Sequence, residues 1–226
     1  MTMKIMLVSA TSAEADILKS IKGMTISPGI TRFADIEISL IISGVGSVAT
    51  AWAMSKHLSS AALTDLAVNI GIAGSYNDDI GLGEVVMPVS DCFADAGIDT
   101  GNGFLTLGEA GLEDPDRFPF KNGKIYAENR FVTKAASIVR TVNAITVNTA
   151  SGTAENISRL VKKYNPDIET MEGATFFYIC CRGNIPFLAL RSVSNKVEPR
   201  NKSNWNIELA LKNLSEKLRE VLQLLE

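Results

Sequence analysis

Two carboxylates and an amide carry the chemical interest of this 226-residue chain: Glu14, Glu172 and Asn195. A carboxylate can stabilise a developing positive charge or take a proton from water. An asparagine amide donates through its NH2 and accepts through its carbonyl, but it has no proton to release at neutral pH. Glu172 and Asn195 belong to one stretch, ETMEGATFFYICCRGNIPFLALRSVSN, from Glu169 to Asn195. Met171-Glu172-Gly173 opens a predicted helix, Ala174 to Cys181 is almost wholly apolar, Gly183 ends the helix and Pro186 follows as a breaker. Phe187 to Leu190 reads as a buried strand that delivers Ser194-Asn195 at its carboxyl edge. Ligands of α/β sheets sit beyond strand carboxyl ends and at helix N-termini, so this stretch brings an acid and an amide to one rim. Glu14 falls in the first turn of another predicted helix, capped by Thr11 or Ser12 after the apolar run Lys4 to Val8. There it either complements the helix dipole, worth a few tenths to about 1 kcal/mol, or does chemistry; the residues alone leave both open.

The elements that must position these groups follow in chain order. Ile36 to Ile42 predicts a strand that runs into Gly44-Val45-Gly46-Ser47-Val48-Ala49 and a helix from Val48 to Leu58. This Gly-x-Gly-x-x-Ala turn raises dinucleotide binding, but the acid that should end the next strand, Asp65, precedes it instead. Leu66 to Ile70 predicts a third strand, with Gly71-Ile72-Ala73-Gly74-Ser75 as a glycine-rich turn where backbone can approach a ligand. A strand resumes from Glu84 to Pro88, and residues 91–116 read as loops around short strands, with frequent acids but no pair at metal spacing. A helix from Asn129 to Arg140, a strand from Ala144 to Asn148 and a helix from Ala154 to Tyr164, capped by Thr153, come next. The last helix is predicted to begin near Ser203; its Ile207, Leu211, Leu214, Leu218, Val221, Leu222 and Leu225 recur at helical spacing.

Length and composition narrow the function classes. A chain of this length with 46% hydrophobic residues buries a sizeable core and is read as one domain over residues 1–226. A net charge of -3 leaves no basic footprint for nucleic acid. No apolar run approaches a membrane span and no signal peptide is evident, so a cytoplasmic protein without a membrane partner is expected. Three cysteines, with Cys180 and Cys181 adjacent in an apolar helix, make no disulfide framework and read as core residues beside Cys92. The single histidine, His57, lacks a carboxylate partner and reads as packing, and without Cys-x-x-Cys spacing no metal site is expected.

The helix-opening Met171-Glu172, the buried helix and the strand ending in Ser194-Asn195 resemble the purine nucleoside phosphorylase and nucleosidase superfamily. Ser43-Gly44-Val45-Gly46 is similar to a turn of its nucleosidases. Within the superfamily the chain resembles the methylthioadenosine/adenosylhomocysteine nucleosidases and, more closely, the futalosine hydrolases. The resemblance implies an α/β fold of three αβα layers around a central mixed, twisted sheet. It also implies hydrolysis of a nucleoside's N-glycosidic bond without a cofactor, in a homodimer. It assigns Glu14 to activation of the attacking water, Glu172 with backbone near Met171 to the ribose, Ile72-Ala73-Gly74 to ribose and base, and Ser194-Asn195 to the base. In the methylthioadenosine nucleosidases the position of Asn195 is an aspartate that protonates adenine. An amide suits a 6-oxopurine instead: its NH2 can bond O6 and its carbonyl can hold a proton arriving on N7. An inosine-like substrate is therefore expected.

The phosphorylases hold phosphate with arginines in their glycine-rich loops, but neither the loop after Val8 nor that at Gly71 has one, so water is the expected nucleophile. Arg32 could reach in from elsewhere in the chain, but a carboxylate at Glu14 would repel phosphate. Relatives place a base-stacking aromatic after the Ser151-Gly152 turn; Glu155 and Asn156 stand there, which leaves the stacking residue open. Arg200, in a loop that resembles the futalosine hydrolases, is a candidate partner for a substrate carboxylate. The competing readings are a methylthioadenosine nucleosidase, a phosphorylase and a non-catalytic nucleoside-binding protein.

Overall fold

The computed structural model describes residues 2–27, 30–60, 64–101, 103–199 and 201–226. Its strands are β1 (Met3–Ser9), β2 (Met24–Ser27), β3 (Ile30–Phe33), β4 (Ile36–Ile42), β5 (Leu66–Ser75), β6 (Val85–Asp91), β7 (Gly97–Asp99), β8 (Phe104–Thr106), β9 (Ile125–Tyr126), β10 (Arg140–Thr146), β11 (Ile168–Thr170) and β12 (Phe187–Lys196). Its helices are α1 (Ser12–Ala15), α2 (Ser47–Ser59), α3 (Arg130–Ala135), α4 (Ala154–Tyr164), α5 (Gly173–Arg182) and α6 (Ile207–Leu225).

Among the described residues, ten strands form one mixed sheet in the order β11-β10-β6-β12-β5-β1-β4-β3-β2, with β9 beside β6. The middle is parallel: β5 lies between β1 and β12, both running its way. Such strands are covered on both faces and read as continuous apolar runs, as Ile5 to Val8, Leu66 to Val68 and Leu188 to Leu190 do, all buried. Helices α2 and α5 pack together on one side, and α6 lies across β12, β5 and β6 on the other. The expected three-layer α/β architecture with a mixed sheet is therefore observed. In addition, β11 pairs with β10 in parallel and with the end of β5 in antiparallel, so β5, β12, β6, β10 and β11 close on themselves.

Several boundaries differ from the sequence expectation. Residues 71–75 are not a turn but the last half of β5, which runs to Ser75 because β12 and β11 both pair with it there. The helix expected to reach Arg140 ends at Ala135, and Arg140 starts β10 by pairing with Val86. The last helix begins at Ile207 with Asn206 as its cap; Lys202–Asn204 form only a short 3-10 turn. The hairpin β2–β3 went unrecognised because an edge pair with mostly exposed side chains carries little apolar alternation. In the 91–116 segment the short strands β7 and β8 pair as a hairpin. Cys92 and Cys180 are buried and Cys181 half-buried, all three as free thiols.

Helix α5 buries six of its ten residues. Phe176 and Phe177 are fully buried, with the Phe187 ring 5.7 Å and 4.7 Å from theirs. Burial of each ring contributes about 1.5–3 kcal/mol. The first residue of α5 must be glycine, because a Cβ at Gly173 would collide with Asp91 Oδ2 and lie 2.8 Å from Thr170 Oγ1. Asp91 Oδ1 accepts from Thr146 Oγ1 (3.0 Å) and from the Cys92 N–H (2.8 Å), while Oδ2 has no hydrogen-bond partner. Thr146 Oγ1 in turn accepts from Ala174 N, 2.7 Å away, so this buried carboxyl is tied to the first turn of α5.

Burial pushes the Asp91 carboxyl up to about 7, against the opposing effects of the Thr146 and Cys92 hydrogen bonds and the charge of Arg191. Its ordinary value is 3.8, so between these values the folded chain holds a proton that the unfolded chain has lost. The stability from this group is full at low pH and is lost as pH rises from about 4 to about 7. Asp91→Asn removes the ionisation. The Tm of this variant relative to wild type is expected to be higher by several degrees at about pH 8 than at about pH 5, at about 2–4 °C for each kcal/mol. Calorimetry at both pH values checks this, and an equal difference at the two would mean that Asp91 does not titrate between them.

Candidate active site

A cavity of about 390 Å³ opens at the carboxyl ends of β1, β5 and β12, within the about 300–1,000 Å³ usual for small-molecule sites. Glu14, Ile72, Ala73, Gly74, Met171, Glu172, Ser194 and Asn195 all line it. These eight residues, singled out from the sequence for catalysis or contact with ribose and base, are thus gathered in one place although they span positions 14 to 195.

Glu14 is 7% exposed and is held from both sides. Thr11 caps α1 through a capping box: its N–H and Oγ1 both donate to Glu14 Oε2 at 2.9 Å, and Glu14 N donates back to Thr11 Oγ1 at 3.3 Å. The other oxygen, Oε1, accepts from Ile72 N at 3.1 Å. Sequence reasoning left open whether Glu14 served the helix or the site; the carboxylate does both, reaching across from α1 to β5. Gly71 permits the approach, since a Cβ there would lie 2.8 Å from Glu14 Oε1. The Ile72 N–H is thereby spent on Glu14, while the residue still lines the cavity.

Glu172 is the N-cap residue of α5, one position before the first turn where the sequence had placed it. Its side chain makes no capping bond to that helix. Instead, Oε1 accepts from Gly46 N at 2.8 Å. This explains the glycine turn 44–46. Gly44 and Gly46 sit at φ 85° and 91°, which L side chains rarely adopt, and the turn aims an amide at a carboxylate. The turn serves Glu172 and not a pyrophosphate.

A group that the sequence reading passed over lies beneath both carboxylates. Arg191 on β12 is 1% exposed. Its Nη1 donates to the carbonyls of Asn69 and Leu190, both at 3.1 Å, and its Nη2 to Asn69 Oδ1. Asn69 is fixed in turn by Nδ2 donating to Val8 O at 2.9 Å. Burial lowers the guanidinium pKa, and the charges of Glu172, Glu14 and Asp91 oppose that shift. Burial raises the Glu172 carboxyl above the usual carboxylate value; the Gly46 N–H and the Arg191 charge counter this, and the nearby Glu14 adds to it. The only sequence signal for Arg191 is a charged residue inside an apolar strand run.

Asn195 reaches the cavity through an irregularity. Val193 pairs with Ala73, but Asn195 pairs with Gly74, so Ser194 is the extra residue of a β-bulge. Ser194 is buried, and its hydroxyl donates to Asn195 Oδ1 at 2.8 Å; it supports Asn195. Asn195 Nδ2 donates to Lys196 O at 2.8 Å. One amide hydrogen and one carbonyl lone pair remain for a ligand.

The remaining candidates lie elsewhere. Arg32 is on the outer strand β3, paired with Glu37 at 3.5 Å. Arg200 lies outside the described residues. Glu155 is exposed on α4 and does not line the cavity, and Asn156 is spent on Ser151 (3.3 Å) and Arg159 (2.6 Å). Among the described lining residues the one aromatic ring is Trp205, which the sequence reading did not single out. No group of three or more His, Cys, Asp or Glu that could hold a metal occurs among the described residues. No helix among them is long and apolar enough to cross a membrane.

Comparison with known proteins gives the family and the fold. Residues 4–226 match the family model described as the phosphorylase superfamily. The futalosine hydrolase of Streptomyces coelicolor is 29% identical, covering 99% of this chain and 97% of that protein. The futalosine hydrolase of Acidothermus cellulolyticus is 30% identical, covering 95% of this chain and 88% of that protein. Among solved structures, a mutant methylthioadenosine nucleosidase of Helicobacter pylori with 5′-methylthioadenosine in its active site superposes with a TM-score of 0.80 at 17% identity, covering 99% of each chain, a likeness of fold. The chain belongs to the phosphorylase superfamily, in the family of the futalosine hydrolases.

Proposed function

We propose that this protein hydrolyses the N-glycosidic bond of futalosine and releases hypoxanthine, a step of one route to menaquinone. What supports the reading is a single arrangement: two buried carboxylates and the amide of Asn195 around one cavity, in a chain similar to futalosine hydrolases over nearly its whole length. Cleavage of the bond builds positive charge on the ribose. Glu172 faces that charge and accepts hydrogen bonds from ribose hydroxyls, in a cavity where burial strengthens the attraction. Glu14 takes the proton from the attacking water. Asn195 holds the departing base, its NH2 on O6 and its carbonyl on the proton arriving at N7; the excess negative charge of the base is shared with O6. Ile72, Ala73, Gly74 and Met171 complete the walls around ribose and base. Among the described lining residues there is no arginine, and Lys196 Nζ is spent on the carbonyls of Asn77 (2.7 Å) and Ile80 (3.1 Å), so these residues supply no cation free to hold phosphate.

The same reading carries a cytoplasmic homodimer of one-domain subunits. Val45 lines the cavity, and on the adjoining α2 the side chains of Val48 (84% exposed) and Trp52 (72%) extend an apolar stripe that a second copy would cover. Light scattering is expected to give twice the chain mass; a monomer mass would exclude the dimer.

Base release from futalosine, inosine and methylthioadenosine, each with and without phosphate, tests the reaction. Hypoxanthine from futalosine at a rate indifferent to phosphate is expected. Adenine from methylthioadenosine as the preferred product would overturn the reading. Glu14→Gln is expected to lower kcat by roughly 10²–10⁴-fold while nucleoside binding persists; wild-type turnover would remove Glu14 from the mechanism. Asn195→Asp is expected to shift preference toward adenine nucleosides, and an unchanged preference would place base selection elsewhere.

A further inference from the structure

One buried carboxylate in the cavity wall has no part in the steps above. Glu169, on β11, is 8% exposed and lines the cavity. It lies directly opposite Gly74 in the antiparallel pairing of β11 with β5. Asn195 is the partner of the same Gly74 from the other side, in the parallel pairing of β12 with β5. Residues directly opposite on neighbouring strands share a face of the sheet. Glu169 and Asn195 therefore rise from one face, two strand spacings or roughly 10 Å apart, with only a glycine between them. Both side chains line the same cavity.

The surroundings of Glu169 prepare it as an acceptor. Oε2 takes hydrogen bonds from Tyr76 Oη (2.6 Å) and Ser151 Oγ (2.5 Å), and Oε1 takes one from Ser151 N (2.9 Å). Asn156 Nδ2 donates to Ser151 Oγ at 3.3 Å and completes the cluster. Burial and the bond to Glu169 push the Tyr76 phenol up, so it stays protonated and donating. A carboxylate has about four acceptor sites. Three are filled, and the described residues supply no donor to the fourth, on Oε1.

A purine carries N1 and N7 on either side of C6. In a 6-oxopurine N1 bears a hydrogen and donates; in a 6-aminopurine N1 is an unprotonated acceptor and would meet the carboxylate lone pair to lone pair. We propose that Glu169 is a specificity-determining residue that accepts a hydrogen bond from N1–H of a 6-oxopurine whose O6 and N7 side is held by Asn195. The inference rests on the nucleosidase reading above and adds to it the residue that senses the far side of the base. Asn195 meets only the O6 and N7 side of the base, its amide held in one orientation by Ser194 Oγ and the Lys196 carbonyl. A carboxylate on the other side has no donor to offer to an unprotonated N1.

Steady-state kinetics on futalosine and its 6-amino counterpart, for wild type and Glu169→Gln, tests this. Glutamine keeps one oxygen as acceptor for Tyr76 Oη and Ser151 Oγ, gives up the bond from Ser151 N, and brings a donor that can face N1 of the 6-aminopurine. The ratio of kcat/KM for futalosine to that for the 6-amino compound is expected to fall roughly 10–100-fold in the variant, as for loss of one hydrogen bond to a charged group. A merely structural role would slow both substrates alike, and an unmoved ratio overturns the inference. If the variant does not fold, competition on wild type replaces it: hypoxanthine is expected to bind at least about tenfold tighter than 1-methylhypoxanthine, which lacks the N1 hydrogen. Equal affinity overturns the inference. A wild-type enzyme that cleaves the 6-amino compound and not futalosine would show in the first arm, before any variant is used, that the functional reading itself has failed.

Discussion

Everything at the cavity floor depends on one buried positive charge. The Arg191 guanidinium is fixed by hydrogen bonds to two backbone carbonyls and the Asn69 amide, not by a carboxylate. It therefore acts on Glu14, Glu172 and Asp91 through its field. An arginine cannot shed its proton under physiological conditions, so the charge stays where a lysine in the same place would tend to neutralise. For Asp91 and Glu172 this charge opposes the effect of burial, which favours the protonated carboxyl. Asp91, fully buried at the base of α5, is the one that moves furthest toward that outcome. Glu172 is shifted the same way, but it has the Gly46 amide as well as the cation to oppose the shift.

The cavity itself is a consequence of how the sheet closes. A strand that pairs on both sides and then receives a third partner at its end, as β5 receives β11, brings the ends of three strands round a common point. Gly74 is that point, and it must be small: a Cβ there would lie 2.8 Å from Val197 Cγ2 and 3.2 Å from Asn195 Nδ2. The bulge at Ser194 sets the phase of the last residues of β12. Without the extra residue, strand alternation would turn Asn195 to the other face. The capping box at α1, the left-handed glycines at 44–46 and the bulge at 194 are separate local devices, and each aims one polar group at the same space.

Much of the site was legible along the chain. Met171-Glu172-Gly173 at a helix start, Ser194-Asn195 beyond an apolar run and Glu14 three residues after Thr11 are local patterns, and each element formed close to where its pattern lies. The exchange of an acid for an amide at Asn195 was likewise readable, because it concerns which protons a side chain can give. Local reading failed where pairing between distant strands overrides it. Residues 71–75 have the glycines of a turn yet continue β5, since two neighbours hydrogen-bond to them. The 129–140 run has helical spacing yet its end joins the sheet, since β6 offers a free edge to Arg140.

What the sequence alone determined is therefore the inventory and its local settings: the fold class, the two carboxylates and amide, and the preference for water over phosphate that follows from glycine-rich loops without arginine. Only the tertiary structure decided which of the remaining polar residues join them. Arg191 and Glu169 look like isolated charges in strand-forming runs, and no local pattern says that the first lies buried beneath the carboxylates and the second lines the cavity. Their roles come from partners far away in the chain: Asn69 is 122 positions from Arg191 and Tyr76 is 93 from Glu169. Strand register sets such contacts, and register is a property of the closed sheet, which no single segment encodes.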